Sequence, residues 1–144
     1  MQCIKTNLYE LAKNFRCALL TCPRDKFSRF QRKCLLSFPK QACDVASLLL
    51  AYYLRDRGFQ DIERVLGCLD SESHVWLEVD GWIVDITADQ FPGVDDPVIV
   101  VEATRKSWHS NFIEQSRGRA YPLEKVRTAY EQAYTEIKNR IELR

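Results

Sequence analysis

Between Thr6 and Leu19 the apolar residues Leu8, Leu11, Ala12, Phe15 and Leu19 recur at the three-and-four spacing of a one-sided α-helix, with Thr6 or Asn7 placed to cap its start. The run Thr21-Cys22-Pro23-Arg24-Asp25 breaks that pattern. A second short helix is expected over Phe27–Leu36. Ser37–Ala42 reads as a loop, because Pro39 pushes Phe38 out of the helical region. From Cys43 to Arg57, residues Val45, Ala46, Leu48, Leu49, Leu50, Tyr52, Tyr53 and Leu54 surround most of the circumference. That marks a helix buried centrally in its domain, with Gly58 as its stop.

From Glu63 the period changes to two. Strands are expected over Arg64–Leu69, His74–Val79 and Trp82–Thr87, and a fourth over Pro97–Ala103. After Pro122 a closing helix carries the stripe Leu123, Val126, Tyr130, Ala133, Tyr134, Ile137 and Ile141. The order predicts one α+β domain over 1–144: N-terminal helices, a central buried helix packed on an antiparallel β-sheet, and a C-terminal helix.

Asp80-Gly81 between alternating β-formers is the signature of a two-residue type I′ hairpin, which needs positive φ at both positions. Val79 then faces Trp82, and pairing runs back through Glu78–Ile83, Leu77–Val84, Trp76–Asp85, Val75–Ile86 and His74–Thr87. One face carries His74, Trp76, Asp85 and Thr87; the other carries Val75, Leu77, Val84 and Ile86 and packs on the buried helix. His74 and Asp85 become diagonal neighbours with Cβ atoms roughly 7–8 Å apart, a gap that an imidazole and a carboxylate can close. Either His74 is a strand-end histidine beside an incidental acid, or Asp85 fixes its tautomer for catalysis. The first is the usual case for a lone histidine in a hairpin; an aspartate facing it from a buried strand shifts the balance towards the second and leaves both open.

Such a pair needs a proton to move, and Cys43 is the best-placed donor. It follows a loop and opens the central helix, where free backbone N–H groups stabilise a thiolate and can hold an oxyanion. Cys17 and Cys34 lie in helical patterns and Cys68 on a strand, so they read as small core residues, and Cys3 and Cys22 as incidental. His109, in Ser107-Trp108-His109-Ser110, is the alternative base. No acid is well placed beside it, and with Trp108 it reads as a loop cap near the sheet.

Composition narrows the classes further. Twenty-one basic against 20 acidic side chains leave a net charge of +1, without the basic excess that nucleic acid or a membrane surface requires. No apolar run is long enough to span a bilayer, and Lys5, Glu10, Lys13 and Arg16 interrupt the N-terminus where a signal peptide would be apolar. A cytoplasmic location is expected, although an effector exported without a cleaved signal would share the pattern. The six cysteines then read as free thiols. With no C-x-x-C or H-x3–5-H spacing and two histidines far apart in sequence, no metal and no cofactor is expected.

The segments Gln41–Phe59 and His74–Thr87 resemble the nucleophile helix and the H-x-W-x-E…D strands of the papain-like and transglutaminase-like cysteine enzymes. The resemblance covers about Pro39 to Phe91. It implies a Cys43–His74–Asp85 triad: nucleophile, base and orienting acid. Gln41 is a candidate oxyanion donor by proximity, although the papain-type glutamine lies further before the cysteine. Trp76 and Gln90 are candidates for the cleft. The implied activity is hydrolysis of an amide bond in a protein or peptide by a peptidase, amidase or deamidase. Transglutaminase-like acyl transfer, or a non-catalytic interaction module that keeps the fold, are the alternatives. Substrate identity and oligomeric state stay open.

Overall fold

The structure, a computed structural model, describes residues 2–143. Helix α1 spans Gln2–Thr21 and so starts upstream of Thr6 and Asn7, which lie inside it rather than capping it. Its stripe is buried as its spacing requires: Leu8, Ala12, Phe15 and Leu19 are fully buried and Leu11 nearly so. Helix α2, Arg29–Leu35, is fixed by a reciprocal cap. Ser28 Oγ accepts the Gln31 backbone N–H (3.1 Å), and Gln31 Oε1 accepts that of Ser28 (2.8 Å).

Helix α3, Cys43–Asp56, is the buried helix, with residues Val45 to Ala51 all buried. Gly58, at φ +100°, ends it in a Schellman arrangement. Phe59 N–H reaches Leu54 O (3.1 Å) and Gly58 N–H reaches Arg55 O (3.0 Å). At the other end Ala42 offers no side-chain cap, so the first N–H groups of α3 have no capping partner from it. Helix α4, Arg127–Glu142, closes the chain after a 3₁₀ turn at Glu124–Val126. Leu123 precedes both and is exposed, so the buried stripe begins later than its spacing suggests. No helix among the described residues is long and apolar enough to cross a membrane.

Five antiparallel strands form one sheet in the order β4-β3-β2-β1-β5. They are β1 Ile62–Leu69, β2 Glu72–Val79, β3 Trp82–Asp85, β4 Ile99–Glu102 and β5 Ile113–Arg119. The hairpin has the expected turn, with Asp80 at φ 49° and Gly81 at φ 85°. Its register is also as expected: Val79 pairs Trp82, Glu78 pairs Ile83 and Leu77 pairs Val84. Strand β3 stops at Asp85, two residues early. Asp85 Oδ1 accepts the Thr87 N–H (2.9 Å), which bends the chain into the 3₁₀ turn Ala88–Gln90. Strand β5 has no counterpart in the hydrophobic pattern, because all seven of its residues are exposed on the sheet edge.

One sheet face, with Leu77, Val79, Trp82, Val84 and Ile86, joins α1, α3 and α4 in the main core. The opposite face holds a smaller cluster of Val65, Trp76, Ile83 and Phe112. Gly67 permits that cluster. A Cβ there would stand 2.8 Å from both Phe112 Cβ and the Trp76 ring. Gly67→Ala should therefore cost about 1–3 kcal/mol in urea unfolding. Gly118→Ala, where an added Cβ meets nothing within 4 Å, should stay within about 0.5 kcal/mol.

Candidate active site

Asp85 closes β3 on the face away from the main core, and its side chain is wholly inaccessible. Its Oδ2 lies 2.7 Å from Nε2 of His74, which is itself fully buried. The hairpin register thus brings these two together as the alternation predicts. With Nε2 committed to Asp85, Nδ1 is the nitrogen left for the other side of the ring. There the amide of Gln90 stands 3.1 Å away, and Cys43, half-buried at the first position of α3, is close enough to act on the titration of the ring. Asp85, His74 and Gln90 form one continuous chain of polar contacts, with Cys43 beside it at the start of α3.

Burial pulls the His74 titration down. Hydrogen bonds to Asp85 and Cys43, with their charges, outweigh it and raise His74 to about 9. For Asp85, burial favours the neutral acid. The hydrogen bonds from His109 and His74 prevail and hold the carboxyl well below its usual range. Both shifts favour imidazolium and carboxylate, a state in which Nδ1–H is a donor and the Gln90 amide turns its Oε1 to it in place of the nitrogen that faces a neutral ring.

His109 corrects the sequence reading in two respects. It stands in the 3₁₀ turn Trp108–Asn111, and its Nε2 lies 2.6 Å from the same Oδ2 of Asp85. The acid that seemed missing is thus Asp85 itself, 24 residues away in sequence. The two histidines, distant in sequence, also meet: their ring centroids are 6.3 Å apart. His74, Asp85 and His109 form a group whose donor atoms, all within 4.8 Å of one another, could be offered to a metal ion. Tetrahedral zinc, with bonds of about 2.0–2.1 Å, would hold ligand atoms roughly 3.4 Å apart. The observed separations of 2.6 and 2.7 Å are those of hydrogen bonds.

Aromatic rings enclose the dry side. Phe91, Trp76, Phe112 and Trp108 lie 5.1, 5.7, 5.8 and 5.9 Å from the His74 ring. Trp76 shares the His74 face as expected, but it is only 4% exposed. Its ring packs against those of His74, His109 and Phe112. Gln90, from the turn after β3, is brought directly to His74. Gln41 is exposed in a left-handed conformation (φ 63°) just before α3, and makes none of the hydrogen bonds of the cluster.

Arg16 of α1 supports the site without touching His74. Its guanidinium pairs with both oxygens of Asp89 (2.9 and 2.8 Å). It also donates to Ile86 O (2.7 Å) and Pro97 O (2.8 Å), and lies over the Phe38 ring at 4.9 Å. The segment carrying Thr87, Gln90 and Phe91 is thereby tied to α1. In the sequence Arg16 was visible only as a charge interrupting an apolar stretch.

Two outcomes follow from these charges. Removing Arg16 strands Asp89 and two carbonyls, so Arg16→Met should cost about 3 kcal/mol in urea unfolding. The second concerns pH. The His74 titration rises from 6.5 in the unfolded chain to about 9 in the fold, so its stabilisation is full below pH 6.5 and lost as pH climbs through 9. Unfolding free energy should fall over that window by up to about 3 kcal/mol. His74→Gln should remove this slope, and an unchanged slope would contradict the assignment.

No family model matches the chain, and neither a curated protein nor a solved structure does.

Proposed function

We propose that the protein is a cysteine-dependent amide hydrolase with a papain-like or transglutaminase-like fold, working through Cys43, His74 and Asp85. One observation carries this reading: the buried Asp85 holds His74 through Nε2, and Cys43, at the start of a buried helix, lies close enough to His74 to raise its titration.

The chemistry follows from the two nitrogens. The Cys43 thiolate adds to the amide carbonyl carbon, and a C–S bond forms. The N–H groups at the start of α3 stabilise the oxyanion. His74 passes its Nδ1 proton to the leaving nitrogen as the C–N bond breaks, which leaves a thioester. Water then attacks the thioester, His74 takes one of its protons, and the C–S bond breaks to release the acid and restore the thiolate beside the imidazolium. Asp85 keeps the other nitrogen protonated and the ring oriented throughout.

A groove beside this helix suits a peptide. It has a volume of about 420 Å³ and is lined by Asp44, Leu48, Arg64, Gly118 and Leu123. Ala120 N–H donates to Ile62 O, so the Arg64–Gly118 and Leu66–Ser116 pairs are the hydrogen-bonded ones. The backbone groups of Arg117 and the N–H of Arg119 then face the open edge, where an extended chain could pair with them; the Arg119 carbonyl already accepts the Tyr121 N–H.

Iodoacetamide alkylation at pH 6.5, read site by site by mass spectrometry, tests the nucleophile. Cys43 should react at least about tenfold faster than the other five thiols, and His74→Gln should abolish that advantage. Uniform reactivity would remove Cys43 from the mechanism and favour an interaction module that has kept the fold.

A further inference from the structure

The triad leaves His109 without a task, yet this side chain is only 3% exposed and reaches the very oxygen that His74 uses. Two imidazole N–H groups converge on Oδ2 of Asp85, while Oδ1 takes the Thr87 backbone N–H. Nδ1 of His109 has no hydrogen-bond partner. Its ring sits against Trp108 and Trp76, with centroids 4.8 and 4.9 Å away. A proton on Nδ1 would be a buried N–H without an acceptor, whereas a proton on Nε2 is satisfied by Asp85. The turn that presents the ring is itself held. Ser107 N–H donates to Ser110 Oγ (2.9 Å), Ser110 N–H to Ser107 O (3.0 Å), and Phe112 N–H to His109 O (3.1 Å).

We propose that His109 is a positioning residue of the active site: its Nε2–H pins Oδ2 of Asp85 on the His74 axis and withdraws part of the carboxylate's charge. This rests on the proposed triad for its catalytic consequence. Both lone pairs of Oδ2 are occupied, so the carboxylate cannot swing away from His74 without breaking the His109 bond. A carboxylate shared among three donors is also a weaker base than one with two. It therefore stabilises the imidazolium less, and His74 can still release its Nδ1 proton to a leaving group. The charged and titratable groups around the pair are few. His74 faces Asp85 from β3 and Cys43 from α3, Asp85 faces the two imidazoles, and the Arg16–Asp89 ion pair lies beyond Ile86.

Two substitutions separate positioning from packing. His109→Phe keeps an aromatic ring and loses the donor, whereas His109→Gln keeps an N–H that can reach Asp85. Imidazole ¹⁵N NMR titration should place the His74 midpoint roughly one pH unit higher in His109→Phe and back towards wild type in His109→Gln. Over the same pH range, iodoacetamide rates at Cys43 should move with that midpoint. A His74 midpoint that stays put or falls in His109→Phe would overturn the proposal and leave His109 as filler.

Should His109→Phe not fold, wild-type protein gives the answer. Its spectra should show His109 protonated on Nε2, in slow exchange, with a bare Nδ1. A protonated Nδ1, or stoichiometric zinc held through both histidines, would sink the idea. If Cys43 alkylation proves indifferent to His74 while His109→Phe still shifts the His74 midpoint, the triad fails and the positioning role stands.

Discussion

The site depends on one buried negative charge. Asp85 is 1% exposed and remains ionised. A carboxylate moved out of water at such a depth costs several kcal/mol unless donors replace the lost hydration. Its donors come from three places: His74 on β2, His109 on the turn before β5, and the backbone of Thr87 just beyond β3. Strand pairing alone would join β3 to its neighbours. The carboxylate in addition fixes where β3 ends, how the next turn begins and where the 108–111 segment docks. The short length of β3 and the placement of His109 are thus consequences of the same charge.

Arg16 is the positive counterpart, and it couples the helical layer to the sheet. With 14% side-chain exposure it binds a carboxylate, two backbone carbonyls and the face of an aromatic ring. The apolar core packs α1 against β3 and β4 without specifying where the loops after β3 must lie. A guanidinium offers five donors in a rigid fork, so it can set several acceptors at once. Segment 86–97 is located this way, and with it Gln90 and Phe91 around His74.

Much of this architecture was legible in the sequence where burial imposes a period. The α1 stripe, the all-round apolar α3 and the alternating hairpin each follow from one face or every face being dry. The Asp80-Gly81 turn then set the register that puts His74 and Asp85 on a common face. Strand β5 was invisible because an edge strand exposed along its whole length has no hydrophobic alternation to display. His109 was misread for another reason. Its partner lies 24 residues away, across a segment with no regular pattern, and the local neighbourhood of a residue says nothing about such contacts. Gly67 carried no signal either, since its role is an absent Cβ beneath Trp76 and Phe112.

The arrangement also explains why an aromatic cluster surrounds a polar site. His74 has two nitrogens with opposite needs. Nε2 must keep a fixed proton, and the hydrogen bond that keeps it is strongest where the local dielectric is low and water is excluded. Trp76, Phe112 and His109 supply that environment on the side of Asp85. In the proposed mechanism Nδ1 exchanges a proton with a reactant, so it has to face groups that solvent and substrate can approach. Cys43 and Gln90 are half-buried and occupy that side. A β-strand beside a helix N-terminus solves both requirements at once. The strand sets the ring between the dry face of the sheet and the open end of α3, and its two nitrogens then divide between them.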